Sequence, residues 1–383
     1  MYAQAAIQPN PLLRNGAYGI VMRGVQKCTR GCSSLRGRNR LPLCCIKLDT
    51  ATDVACMAGV STATVSRVLN RSGPVSEAVR KRVEEVIIRE GYIPNALAHS
   101  LNTKHSHTIG IICPVISDGN HAYPVAELSR LLRANGFEIL LIDAASNDES
   151  KRAYFVSLIN RQVDAAVVIG CSCTEQEQED FRYAARHIPV FLLNGRIEGD
   201  NLFCTLCDEK RAACKMVRRL TEMGHDRVLY LYDSETYSGH MKLNGYREGM
   251  ALYARSEPME IQIHNQGGSS FGQTVETVRQ LLDQVSFNAV LSADDSLAIG
   301  AAKALQSAGL PPIPMIGFNN TILSRCATPE LASVDNRMQQ QCELTVRTLL
   351  DVMDGKHPSP CLTLDAQLVE RTSLTAFSAA DKG

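Results

Sequence analysis

The stretch Asp53-Val54-Ala55-Cys56-Met57-Ala58-Gly59-Val60-Ser61-Thr62-Ala63-Thr64-Val65-Ser66-Arg67-Val68-Leu69-Asn70 decides the reading of this chain. Apolar residues recur at helical spacing on either side of a glycine, the pattern of two short helices joined by a tight turn. Ala55 is small enough for the helices to approach closely where they cross, and Gly59 falls where a positive φ would strain another residue. Ser61 can cap the second helix, and Val65, Val68 and Leu69 repeat at i, i+3, i+4 and turn one face inward. Thr62, Ala63, Ser66 and Arg67 are left facing outward. Such a helix can enter the major groove with its N-terminal residues on base edges. Arg67 can donate to both acceptors of a guanine, and Thr62 and Ala63 can meet a thymine methyl or a base edge. An ordinary helical hairpin shares the inward pattern, so these residues alone leave both readings open.

Further short helices follow. SEAVRKRVEEVIIREG has Ser76 placed to cap it and Gly91 placed to end it, and NALAHSLN after Pro94 reads as one more short helix. Upstream, Met1 to about Leu48 has a different character. It has no Asp or Glu, carries Arg14, Arg23, Lys27, Arg30, Arg36, Arg38, Arg40 and Lys47, and shows no periodicity. The reading favoured is a disordered extension or sequence ahead of a misplaced start; a basic tail on DNA is the alternative.

Beyond Thr108 strand and helix patterns alternate. IGIICPVI, EILLIDA, AAVVIG, PVFLLN, RVLYLYD, MEIQIHN, AVLSAD and PMIGFN read as strands. Between them lie amphipathic segments such as PVAELSRLLRANG and TEQEQEDFRYAAR, the latter opening on a Thr174-x-x-Glu177 capping box. Near-continuous apolar strands separated by helices predict parallel sheets covered on both faces. The number of units predicts two similar α/β lobes, with a ligand held beyond the strand C-termini, between them.

Composition narrows the function. The chain has 383 residues, 45% of them hydrophobic, enough for a small domain joined to a large one. Lys+Arg and Asp+Glu both total 40, so any DNA site must be a local feature. The apolar runs are strand-length, which argues against a membrane span, and no secretory signal is evident. The 14 cysteines are scattered, some in apparent core strands, and read as reduced thiols of a cytoplasmic protein. Cys204-x-x-Cys207 with Cys214 nearby is a weak metal signal without a second pair, and no metal or cofactor is expected. Gly267–Gly272 (GGSSFG) lacks the lysine of a phosphate loop and reads as a lead into the helix QTVETVRQLLDQ; no nucleophile elbow or paired-histidine motif suggests an enzyme.

The motif, the following VSEAVRKRVEEVIIREGYIPNALAHSLNTKHSHTIGII, and LSADDSLAIGAAKAL, IGFNN, TPELASVDN and LVERTS together resemble the lactose/galactose/purine repressor family, from about Thr50 to Ser373. The resemblance implies an all-α helix-turn-helix DNA-binding domain plus an α/β two-lobed effector domain like periplasmic sugar-binding proteins. The boundaries expected are 1–48 for the extension, 49–92 for the DNA-binding domain, 93–107 for a hinge helix and linker, 108–376 for the effector-binding and dimerisation domain, and 377–383 for a tail. It implies base contacts at Thr62, Ala63 and Arg67. Phosphate contacts fall on Ser61, Thr64, Asn70, Ser76 and Asn95. Leu101 on the hinge helix takes the place of a wedge that kinks DNA from the minor groove.

For the effector site the resemblance implies Lys242, Asp294 and Asn319, with Asn194 and the Ser117–Tyr123 loop, notably Asp118 and Tyr123, as weaker candidates. Members of the family most often have arginine, asparagine and aspartate where Lys242, Asp294 and Asn319 stand. The acid and the amide have thus traded places, and lysine lacks the bidentate fork of arginine. The function implied is a sequence-specific transcriptional regulator, a repressor of a metabolic, carbohydrate operon. It binds pseudo-palindromic double-stranded operator DNA as a homodimer, gated by a small polar effector such as a sugar or sugar derivative. The alternative is a solute-binding protein with no DNA role, for which the helix-turn-helix would have no use.

Overall fold

The structure is a computed structural model that describes residues 50–69, 72–92, 105–144, 151–264 and 270–377. Contacts divide the chain into two units, Met1–Pro94 and Asn95–Gly383.

In the N-terminal unit, α1 (Ala51–Ala58) starts two residues before the expected Asp53, because Thr50 and Asp53 form a reciprocal capping box. Gly59 ends it at φ +64°, the left-handed conformation for which a glycine is suited. Helix α2 (Thr62–Leu69) is capped by Ser61, whose Oγ accepts from the Thr64 amide at 3.2 Å. Helix α3 (Glu77–Glu90) has Ser76 at its N-cap, but that side chain makes no cap hydrogen bond, and Gly91 closes the helix at φ +64°. Val54, Ala55, Ala58, Val65, Val68, Val83, Val86 and Tyr92 form the unit's core. Asn70, Asn95 and Leu101 lie outside the described residues.

The second unit has two six-stranded sheets. The first lobe holds β1 (Thr108–Cys113), β2 (Glu138–Asp143), β3 (Ala165–Ile169), β4 (Val190–Leu193), β5 (Leu202–Cys207) and, returning late, β11 (Cys361–Leu364), in the order β11-β5-β4-β3-β1-β2. The second holds β6 (Val228–Tyr232), β7 (Met259–Gln262), β8 (Ala289–Ser292), β9 (Met315–Phe318), β10 (Ala332–Asp335) and β12 (Gln367–Val369), in the order β12-β10-β9-β8-β6-β7. All these pairings are parallel except β10 with β12. The lobes therefore repeat one strand order.

Helices α4 (Gly119–Ala134), α5 (Lys151–Asn160) and α6 (Glu175–Ala185) belong to the first lobe. Helices α7 (Glu209–Glu222), α8 (Tyr237–Tyr253), α9 (Ser270–Leu281), α10 (Asp295–Ser307) and α11 (Ile322–Cys326) belong to the second. Helix α12 (Met338–Met353) returns to the first lobe, where Cys342, Val346 and Leu349 join its core, and α13 (Thr372–Thr375) places Leu374 in the second. The chain thus crosses between lobes after β5, after β10 and between β11 and β12. Among the described residues no helix is long and apolar enough to cross a membrane.

Three local expectations are corrected. Helix α4 begins at Gly119, not at Pro124, because Asp118 caps it by accepting from the Asn120 amide at 2.8 Å. Pro124 sits inside the helix and forfeits only a bond to the Asn120 carbonyl. The box at Thr174 forms by half: Thr174 accepts from the Glu177 amide at 3.3 Å, while the Glu177 carboxylate pairs with Lys151 at 2.6 Å. Strands β5, β10, β11 and β12 were not foreseen. On β5 the Cys204 and Cys207 side chains, three residues apart, point to opposite faces, and both are buried. Among the described residues no cluster of His, Cys, Asp or Glu could hold a metal ion.

Candidate DNA-reading helix and effector site

On α2 the inward positions are filled by Val65 and Val68, and Thr62, Ala63, Ser66 and Arg67 are all exposed. Gly59 and the Ser61 cap aim the first turn of α2, and Arg67 extends from its last turn over Gly73. Ser61 and Thr64, the expected phosphate donors, share a hydroxyl hydrogen bond of 2.9 Å, with Ser61 exposed and Thr64 half-buried. Ser76 is exposed, its hydroxyl not engaged in capping.

Lys242, Asp294 and Asn319 meet in the second lobe at the edge facing the first. Lys242, on the second turn of α8, is only 4% exposed. Its Nζ donates to the Ala293 carbonyl at 3.0 Å and to Asn319 Oδ1 at 3.1 Å, and lies 4.9 Å from the centre of the Phe318 ring. Asn319 follows β9 in a left-handed conformation (φ +83°), which asparagine tolerates better than most residues. Its Nδ2 donates to Asp294 Oδ2 at 3.0 Å. Asp294 caps α10, accepting from the Ser296 amide at 2.7 Å. Two carboxylate oxygens thus stabilise a helix N-terminus and hold an amide at once.

Asn120, in the first turn of α4, links the first lobe to this cluster. Its Nδ2 donates to Asp294 Oδ2 at 2.6 Å, and its Oδ1 accepts from Asn319 Nδ2 at 3.2 Å. Asn336, immediately after β10, donates to Asn319 Oδ1 at 3.2 Å. Glu209, at the crossing after β5, lies 3.5 Å from Lys242 Nζ, with both side chains nearly inaccessible to solvent. Its other oxygen accepts from the Ser238 hydroxyl at 2.5 Å. Asp233, just past β6, belongs to the same neighbourhood. Burial raises its carboxyl, a hydrogen bond from Ser270 opposes this, Asp294 and Asp118 raise it further, and Lys242 lowers it.

The weaker candidates fare differently. Asp118 acts on this neighbourhood through its charge, yet its carboxylate is committed to capping α4. Tyr123 is 48% exposed, and Asn194, at φ +57°, ends β4 with its amide donating to the Thr205 carbonyl at 2.8 Å. Neither makes a hydrogen bond to the cluster. Asn120 falls within the Ser117–Tyr123 loop named as a weaker candidate, without being singled out there, whereas sequence reasoning missed Glu209, Asn336 and Asp233. The rule that ligands sit beyond strand C-termini covers Asp233, and would have reached Glu209 and Asn336 had β5 and β10 been recognised.

Two family models match this chain. The bacterial regulatory proteins of the lacI family match residues 50–95, and the periplasmic binding proteins and sugar binding domain of LacI family match residues 106–359. An HTH-type transcriptional regulator of Lachnoclostridium phytofermentans is 36% identical over 326 residues, covering 83% of this chain and 97% of the relative. The HTH-type transcriptional regulator AscG of Escherichia coli strain K12 is 29% identical over 340 residues, covering 86% of this chain and all of the relative (100%). The solved structure of the Lac repressor dimer bound to operator and the anti-inducer ONPF shares the fold with a TM-score of 0.75 at 23% identity, over 85% of this chain and 99% of that one. The chain belongs to the LacI family of bacterial regulatory proteins and is a helix-turn-helix transcriptional regulator.

Proposed function

We propose that this regulator represses a carbohydrate operon from the cytoplasm, binding a pseudo-palindromic operator as a homodimer and responding to a small, uncharged, hydroxyl-rich effector; it is not an enzyme. Thr62, Ala63 and Arg67 read bases, and Ser61, Thr64 and Ser76 meet phosphates. Asn70, Asn95 and Leu101 keep the roles the resemblance implies for them. The sugar-binding description of the matching family domain and the dimeric Lac repressor of like fold support this reading.

One observation carries the effector assignment: Asn120 of the first lobe closes on Asp294 and Asn319 of the second. Amide and carboxylate groups that satisfy one another across two lobes can be satisfied instead by the hydroxyls of a sugar. A ligand that does so with a different lobe spacing shifts the equilibrium by its differential affinity. The cation of the cluster, Lys242, already faces Glu209, while Asp233 and Asp294 add negative charge, so a phosphorylated or acidic sugar is disfavoured. Because coupling is reciprocal, an effector that loosens operator binding must itself bind less tightly when operator is present.

The test is selection of bound sites from random double-stranded DNA, repeated with neutral monosaccharides and disaccharides and with their phosphates. A two-fold symmetric site whose recovery changes with a neutral sugar supports the reading. Absence of any enriched site would contradict the DNA assignment, and a response confined to phosphorylated sugars would contradict the effector assignment.

A further inference from the structure

Cys171 and Cys173 are unused by either site, and their arrangement differs from that of the other cysteines among the described residues. They follow β3 and lead directly into Thr174, the cap of α6. Cys173 adopts φ +56°, uncommon for a residue with a side chain, and this turn brings its Sγ to 2.7 Å from the Sγ of Cys171. Closing that gap by roughly 0.7 Å would reach the S–S bond length of about 2.05 Å. Cys171 is buried in the first lobe's core, whereas Cys173 is partly exposed.

The chemistry of the two thiols is unequal as well. The hydrogen bond from the Cys171 thiol, more than any other influence, holds the Cys173 thiol below its ordinary value, and burial opposes this. The same contact, reinforced by burial, pushes Cys171 up. As a thiol, Cys173 donates to the Arg196 carbonyl at 3.2 Å. An accessible, more acidic thiol beside a buried partner is the arrangement of an attacking and a resolving cysteine.

The pair also sits on a contact between lobes. The Cys171 carbonyl accepts from the Tyr237 amide at 2.7 Å. Tyr237 is the first residue of α8, the helix that carries Lys242, and its ring packs against the first lobe's core.

We propose that Cys171 and Cys173 are an oxidisable dithiol that a hydroperoxide closes to a disulfide, altering the inter-lobe contact at Tyr237. The Cys173 thiolate attacks a peroxide oxygen. An S–O bond forms, the O–O bond breaks, and the departing hydroxide takes up a proton as water, leaving a sulfenic acid. The Cys171 sulfur then attacks Cys173, an S–S bond forms, and the hydroxyl leaves with the Cys171 proton as a second water. Two thiols lose two electrons and one molecule of hydrogen peroxide is reduced to two waters. A thiol reductant reverses the change.

The experiment treats the full chain with equimolar hydrogen peroxide, alkylates the remaining thiols, and maps the peptides by mass. The expected result is loss of two hydrogens from the peptide containing 171 and 173, which escapes alkylation and regains it after dithiothreitol. The exposed single thiols Cys56 and Cys326 serve as comparators and should lag severalfold. In Cys171→Ala, a dimedone adduct should accumulate on Cys173; in Cys173→Ser, Cys171 should stay reduced. Hydrogen exchange at the Tyr237 amide should be severalfold faster in the oxidised wild type and unchanged by peroxide in Cys173→Ser. Oxidation at Cys56 or Cys326 while both thiols at 171 and 173 remain alkylatable would overturn the proposal, as would a disulfide that leaves Tyr237 exchange unaltered.

Discussion

Helix α2 and the cluster around Lys242 are the two proposed sites, and their side chains sit in opposite conditions. Thr62, Ala63, Ser66 and Arg67 stand in water on a helix whose packing is done by Val65 and Val68. Lys242, Asp294 and Asn319 are mostly withdrawn from solvent and hold one another, Asn120 and Asn336 in a continuous set of hydrogen bonds. Substitution on α2 should therefore change binding with little effect on folding. Substitution in the cluster should change both, because a buried polar group deprived of its partner costs stability.

The largest effect expected is at Lys242. Lys242→Met leaves the Glu209 carboxylate, 2% exposed, without its counter-charge, and removes the donor to Ala293 and Asn319. Urea denaturation should show a loss of about 3–5 kcal/mol, most of it recovered in the double variant Lys242→Met/Glu209→Gln. An unchanged midpoint would make the pair an ordinary solvated one and break the contrast.

Next comes a dependence on pH beside the cluster. Asp295 accepts from the Thr321 amide at 2.7 Å, the Thr321 hydroxyl at 2.8 Å and the Ser333 hydroxyl at 2.6 Å, yet burial pushes its carboxyl up to about 7. A raised folded value means that the folded protein holds a proton the unfolded chain has released. Its contribution is complete below the ordinary carboxylate range and is lost as pH rises toward about 7. Asp295→Asn should gain stability relative to wild type between pH about 4 and about 7. Parallel stability curves would contradict the assignment.

On α2, Arg67→Ala should weaken specific DNA binding by about 1–3 kcal/mol and relax preference at one base pair per half-site. Its melting temperature should match wild type. Equal loss on specific and nonspecific DNA would place Arg67 on phosphate instead. The smallest effect belongs to Ser61→Ala, which removes the cap on the Thr64 amide and should cost about 1 kcal/mol in thermal stability.

The contrast also explains what could be read in advance. The α2 face was legible because its periodicity and its turn glycine lie within a few residues of one another. Lys242 lies on α8, Asp294 caps α10 and Asn319 follows β9, and it was the resemblance, not local spacing, that pointed to them. The strands of the two lobes were legible where they are long and apolar, as in β1 and β3. They were missed where polar residues interrupt the apolar run, as in Ala332–Asp335 and Gln367–Val369, because such a stretch offers neither a continuous apolar signal nor enough alternation to detect. Asn120 lay within a candidate loop, but its part in the cluster was hidden for another reason. Asp118-Gly119-Asn120-His121-Ala122-Tyr123-Pro124 reads as a loop ending at a proline, and only the Asp118 cap turns it into the helix start that aims Asn120 at the other lobe.

The claim that reading and sensing reside in these two differently built sites is tested most directly by one operator titration. It uses DNA recovered by selection, with and without the neutral sugar that changes that recovery, and compares wild type, Arg67→Ala and Asn319→Ala. Arg67→Ala should bind the operator more weakly while its remaining affinity still shifts with sugar. Asn319→Ala should bind as wild type does without sugar and lose most of the shift. If Asn319→Ala responds to sugar as wild type does, or Arg67→Ala binds the operator undiminished, the division between an exposed reading helix and a buried sensing cluster is wrong.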